Sequence, residues 1–185
     1  MEYYQAIPVN YNGINYKSKL EAKYRVFFDV LFEGTNARAV YEPNTFFLEY
    51  GMRYTPDFAI YGVKWRGFNS SYYTGKSGEP IYVEVKGRDR YSDIPLKQRV
   101  RMEAFAKNHP LLIVGPLPQN DWDVHCNSDC MMFSFSFLDG DSYPCFFTKY
   151  KNEIWLAGSD HDEYVPGSAD YALAIADQAY FKEID

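Results

Sequence analysis

"IYVEVKGR", residues 81–88, decides how the fold is read. In a strand successive side chains point to opposite faces, so Ile81, Val83 and Val85 turn one way and Tyr82, Glu84 and Lys86 the other. The first face is built for burial. The second offers two opposite charges with Cα atoms roughly 6.6 Å apart by the strand rise. That pattern fits a solvated ion pair on an antiparallel sheet, or one reaction centre. Gly87 ends the run.

Upstream, "RYTPDFAIYG" (53–62) carries a second strand over 53 to 60, which pairs with 81–86 through the long segment 62–80. An antiparallel neighbour brings Asp57 beside Glu84. Facing carboxylates repel unless a proton or a divalent cation lies between them, and oxygen-only ligands favour Mg²⁺ or Mn²⁺. A metal on two carboxylates with a lysine beside it suits attack of water on a phosphodiester. Taken alone, Pro56-Asp57 is equally a turn or strand-entry pair.

The clearest helix is "YKSKLEAKYRVFFDVLFEG" (16–34), with apolar Tyr24, Phe27, Phe28 and Leu31 at helical spacing and Gly34 as its stop. Ser18 followed by Glu21 is a capping box, in which Glu21 bonds the Ser18 backbone. Glu21 can instead add a third carboxylate, and so a second metal. Next, "AVYEP" (39–43), "TFFLEYG" (45–51) and residues 53–62 read as a strand meander. The polar, aromatic segment 62–80 reads as a long hairpin excursion.

Beyond Gly87, "SDIPLKQRVRMEAFAKNH" (92–109) reads as a helix with Leu96, Val100 and Phe105 on its apolar side, and "PLLIVGPLP" (110–118) as a buried strand after a helical crossover. Residues 131–158 predict further hairpin strands, with Asp139-Gly140 as a turn and Phe133, Phe135 and Phe137 as a core stripe. Residues 167–184 predict a last helix capped at Ser168. The expected fold is a mixed central sheet flanked by helices, α/β or α+β in class. Residues 1–115 form its core, and 116–185 a β-rich extension with a C-terminal helix packed on that core.

The chain has 185 residues, 46% hydrophobic and 19% aromatic, enough for one packed domain. Its 18 tyrosines and 14 phenylalanines favour sheet over a helical bundle. A net charge of −6 excludes a globally positive field for a polyanion, though acids that hold cations supply part of that sum. Positive charge concentrates locally at Arg88, Arg90, Lys97, Arg99 and Arg101. These residues suit phosphate contacts, or equally a solvated helix face with Glu103 as partner. Three cysteines and an N-terminus without an apolar core predict a reduced, cytoplasmic protein with no membrane span. The spacing of His125, Cys126, Cys130 and Cys145 is wrong for a zinc knuckle.

"YTPDF", then "VEVKG", after a helix carrying Glu in "SKLEAKYRVFF", resembles the PD-(D/E)XK nuclease superfamily, especially its small phage and transposon-type endonucleases. The resemblance spans roughly residues 11 to 115. It implies a restriction-endonuclease-like core and Mg²⁺-dependent cleavage of DNA in the cytoplasm, the host's if the gene is a phage's. Asp57, Glu84 and the Val85 carbonyl are then metal ligands, Lys86 the catalytic cation, and Glu21 the acid of the first helix. Two alternatives stay open: an inactive binding protein on the same scaffold, and a subunit of a resolvase or transposase complex. A homodimer is compatible with each.

Overall fold

A computed structural model describes residues 6–66, 79–88, 91–117, 132–135, 142–158 and 169–184. The chain begins with a hairpin, β1 (Val9–Tyr11) and β2 (Ile14–Tyr16), and enters α1 (Lys19–Leu31). Strands β3 (Arg38–Tyr41), β4 (Phe46–Phe47), β5 (Arg53–Tyr54), β6 (Phe58–Tyr61), β7 (Val63–Arg66) and β8 (Ile81–Val85) follow. Then come α2 (Leu96–Ala106), β9 (Leu111–Val114), β10 (Met132–Phe135), β11 (Ser142–Tyr150), β12 (Glu153–Gly158), α3 (Asp170–Gln178) and β13 (Lys182–Glu183).

The main sheet has eight strands in the order β3-β6-β8-β9-β10-β11-β12-β7. Its pairs are antiparallel except β8–β9 and β12–β7, so the fold is mixed α/β. Strands from both sides of residue 115 share this one sheet. The parallel β8–β9 pair is joined through α2, the crossover that the apolar run at 110–118 predicts. Among the described residues, no helix is long and apolar enough to cross a membrane.

Helix α1 forms as expected. The Ser18 side chain accepts from the Glu21 N–H at the N-cap, and Gly34 sits beyond the end at φ +72°. Tyr24, Phe27, Phe28 and Leu31 are no more than 2% exposed. Each such side chain contributes about 1.5–3 kcal/mol by leaving water. They pack with Ile81, Val83 and Val85 of β8 and with Ala172, Leu173 and Ala176 of α3 in one core cluster. Phe28 is central: its ring lies 5.5 Å from Phe58, the first residue of β6, and 5.4 Å from Phe32. This contact fixes where β6 begins, one residue after Asp57.

Several expectations are corrected. The Glu84 face of β8 is not solvated: all five residues from Ile81 to Val85 are buried. A second cluster covers that face, built from Tyr82, Phe105, Met102 and Ala106 with Tyr54 of β5. Helix α2 buries Met102, Phe105 and Ala106, while Leu96 is 66% and Val100 44% exposed. Its side is chosen by the β4–β5 hairpin and β9, which no local period encodes.

The meander is also incomplete. β3 pairs directly with β6 (Tyr41 opposite Phe58), and the segment between them leaves the main sheet as the separate β4–β5 ladder. Segment 62–80 opens with a strand of the main sheet, because β7 pairs with β12. Only Gly62 separates β6 from β7, so the last strand of the sheet order starts one residue from the end of the second. Gly62 has φ +74°, and a Cβ there would lie 2.7 Å from the Asn36 carbonyl oxygen. The N-cap of α3 is Ala169, whose side chain supplies no capping hydrogen bond. Ser168, Phe137, Asp139-Gly140, His125, Cys126 and Cys130 lie outside the described residues.

Candidate functional site

The site forms where β6 and β8 part. Their antiparallel pairing ends at Phe58 opposite Val83, and Pro56 has no N–H to continue it. The Asp57 carboxylate replaces the ladder there: its Oδ2 accepts from the Val85 N–H at 2.7 Å. Asp57 is held at its backbone too, since its carbonyl accepts from the Glu42 N–H at 2.8 Å. On the other side of β8 pairing continues with β9, and the Lys86 N–H donates to the Val114 carbonyl at 2.7 Å. Sheet geometry therefore fixes Asp57 and the Glu84-Val85-Lys86 backbone as one unit.

Glu84 is 7% exposed and bonded at both oxygens. Tyr54 donates to its Oε2 at 2.7 Å, and the Lys86 ammonium donates to its Oε1 at 2.5 Å. The Lys86 side chain is 19% exposed, so this pair is largely withdrawn from water. Such a charge-assisted bond is stronger than a neutral one.

Burial pushes the Asp57 carboxyl well above the usual carboxylate range, and the Glu84 and Glu21 charges push it the same way. The Lys86 ammonium and the Val85 N–H pull it back, but by less. Asp57 thus feels the charge of both other acids named from sequence. A carboxyl in that position holds a proton or welcomes a cation.

Glu21 is 7% exposed on the first turn of α1. Its Oε2 accepts from the Tyr41 hydroxyl at 2.5 Å and the Lys17 N–H at 3.2 Å, and its Oε1 from the Ser18 hydroxyl at 3.0 Å. The capping box closes on the Lys17 N–H and the Ser18 hydroxyl, where sequence pointed to the Ser18 backbone. Among the described residues, no three Asp, Glu, His or Cys side chains stand close enough to cage a metal ion. The oxygen donors of Asp57 and Glu84 still fit Mg²⁺, which is commonly held by one or two carboxylates and keeps several waters.

Four participants were not read from sequence. Tyr54 and Tyr41 donate to the two glutamates, and the phenol of each is pushed upward, first by burial and then by the glutamate it bonds. Lys17 pairs with Glu42 at the rim, and Asp57 and Glu21 add to its positive bias. Glu42 takes φ 41°, a rare backbone for a non-glycine residue. The only local signal was proximity: Tyr54 lies three residues before Asp57, and Glu42 follows Tyr41.

Of the basic residues, Arg88 and Lys97 are exposed and Arg101 half-buried. Arg99 is engaged inside the protein, donating to the Ile94 carbonyl at 3.1 Å with its guanidinium 5.6 Å from the Tyr91 ring. Glu103 accepts from the Tyr91 hydroxyl at 2.7 Å. Arg90 lies outside the described residues.

No protein-family model, curated protein or solved structure matches the chain.

Proposed function

We propose that the chain is a Mg²⁺-dependent endonuclease, with Mn²⁺ as a substitute ion, hydrolysing DNA phosphodiester bonds on a restriction-endonuclease-like core. The observation that carries this reading is the Asp57 carboxyl bonded to the Val85 N–H and pushed upward by burial and then by the Glu84 charge, with Lys86 on the same glutamate. Asp57 and Glu84 would hold the ion, with the Val85 carbonyl as a further oxygen and Glu21 as the outlying acid. When bound, the ion polarises a phosphoryl oxygen and lowers the pKa of a water.

The chain's own residues supply the rest. The ionised Asp57 carboxylate would be favoured by a cation held between the carboxylates, over the protonated form that burial, and then the Glu84 and Glu21 charges, favour without it. Lys86, held beside Glu84, offers an ammonium donor to the attacking water or to the charge that develops on the phosphoryl oxygens. Arg88, Lys97 and Arg101 meet the phosphate backbone on either side, with Arg90 next to them in sequence, while Arg99 supports the segment they stand on.

The test is incubation of supercoiled plasmid with the protein and Mg²⁺ or Mn²⁺. Nicked or linear product is expected, and Lys86→Ala is expected to remove it, with circular dichroism used to check that the variant is still folded. A Lys86→Ala protein that cuts as fast as wild type refutes the assignment. Intact supercoils under every ion favour the binding-protein alternative. Activity only with a partner, or with DNA-induced doubling of size, favours the resolvase or transposase alternative.

A further inference from the structure

Tyr54 stands in the second core cluster, 7% exposed, on a two-residue strand. Its ring centroid is 4.7 Å from that of Phe105, which is fully buried on α2. The partner strand β4 adds Phe46 against the same ring, at 5.0 Å from Phe105 and 5.2 Å from Tyr82. The phenol is therefore clamped between α2 and β8, and its hydroxyl reaches Oε2 of Glu84 at 2.7 Å. Only Oε1 of Glu84 faces Lys86.

We propose that Tyr54 sets which cation the site accepts: by occupying one oxygen of Glu84 it makes this carboxylate a single-oxygen ligand, favouring Mg²⁺ over Ca²⁺. The inference rests on the metal reading above. Mg²⁺ demands a compact octahedron with one oxygen from each carboxylate, whereas Ca²⁺ takes six to eight oxygens and commonly grips a carboxylate by both. A chelating grip needs both Glu84 oxygens on the ion: Lys86 would have to release Oε1 for any ion to bind there, and the clamped Tyr54 hydroxyl would still hold Oε2 back. Tyr54 touches neither ion nor substrate. It is a positioning residue that acts through Glu84.

The experiment uses the full chain at pH 7.5 without nucleic acid. Bound Mn²⁺ is followed by electron paramagnetic resonance of the free ion while MgCl₂ or CaCl₂ competes. In wild type MgCl₂ displaces Mn²⁺ at lower concentration than CaCl₂. In Tyr54→Phe, which keeps the ring and loses the hydroxyl, the ratio of the two midpoints shifts toward Ca²⁺ by about tenfold, the scale of losing an outer partner of a metal ligand. Phe105→Leu loosens the clamp and keeps the hydroxyl, and it shifts the ratio the same way by less. An unchanged ratio in both variants, with wild-type binding intact, overturns the role of Tyr54 alone. Failure of wild type to bind any of the three ions overturns the metal reading and this inference with it.

Discussion

Replacing Asp57 by Asn removes one titratable group and keeps an oxygen to accept the Val85 N–H bond of 2.7 Å. In the folded chain burial, then the Glu84 charge, then the Glu21 charge hold the Asp57 proton on to a higher pH than in the unfolded chain. A carboxyl whose folded pKa is raised contributes stability that is fully present below its unfolded pKa and is lost as pH rises through the folded one. The full slope is about 1.4 kcal/mol per pH unit. Between pH 4 and 5 the unfolded group still binds a fraction of a proton, so Asp57→Asn should gain about 1 kcal/mol on wild type over that unit, and keep gaining until the folded carboxyl ionises. Urea denaturation at unit pH steps with a chelator present, followed by circular dichroism, gives the difference directly. Carboxylates that do not interact with Asp57 cancel in it. A difference that stays flat, or that shrinks as pH rises, refutes the account of Asp57.

Other substitutions test the framework. Gly62→Ala should cost about 2 kcal/mol or more, combining a left-handed backbone with a Cβ 2.7 Å from the Asn36 oxygen. Gly87→Ala, where a Cβ meets nothing within 4 Å, should stay within about 0.5 kcal/mol by the same denaturation measurement. Ser18→Ala should cost about 1 kcal/mol by removing the N-cap acceptor of the Glu21 N–H, read as a lower thermal midpoint. Phe28→Ala should cost about 3–5 kcal/mol, because the ring bridges Phe32, Phe58 and Phe147 at the centre of the core. A milder effect would show that β6 is positioned by something else.

Parts of the fold that local periods encode were legible in the sequence. The alternation of 81–86, the apolar run at 110–118 and the capped pattern of α1 correspond to β8, β9 and α1, and the antiparallel pairing of β6 with β8 agrees with reading 62–80 as an excursion between two paired strands. What was not legible is decided by partners distant in the chain. Leu96 and Val100 stand outward because the cover of α2 is a hairpin 40 or more residues upstream, on the opposite side. β7 was lost inside an excursion because its partner, β12, comes late in the chain. Tyr54 and Tyr41 were counted as sheet-forming rings, and nothing in a linear pattern says where a phenol's hydroxyl will end.

A core assembled for stability alone would not set Asp57 against two other acids. Desolvating a carboxylate beside like charges is unfavourable, and an apolar or amide replacement is often neutral or stabilising. Retaining such an arrangement makes physical sense where a ligand binds only when the acids are charged, since binding to the folded form alone adds stability by mass action. On the proposed reading Mg²⁺ is that ligand. Repeating the denaturation series at pH 7 with MgCl₂ in place of chelator should then stabilise wild type and leave Asp57→Asn nearly unmoved, narrowing the gap between them as the ion concentration rises. If the gap instead persists at saturating MgCl₂, the strain at Asp57 is offset by something other than a divalent ion.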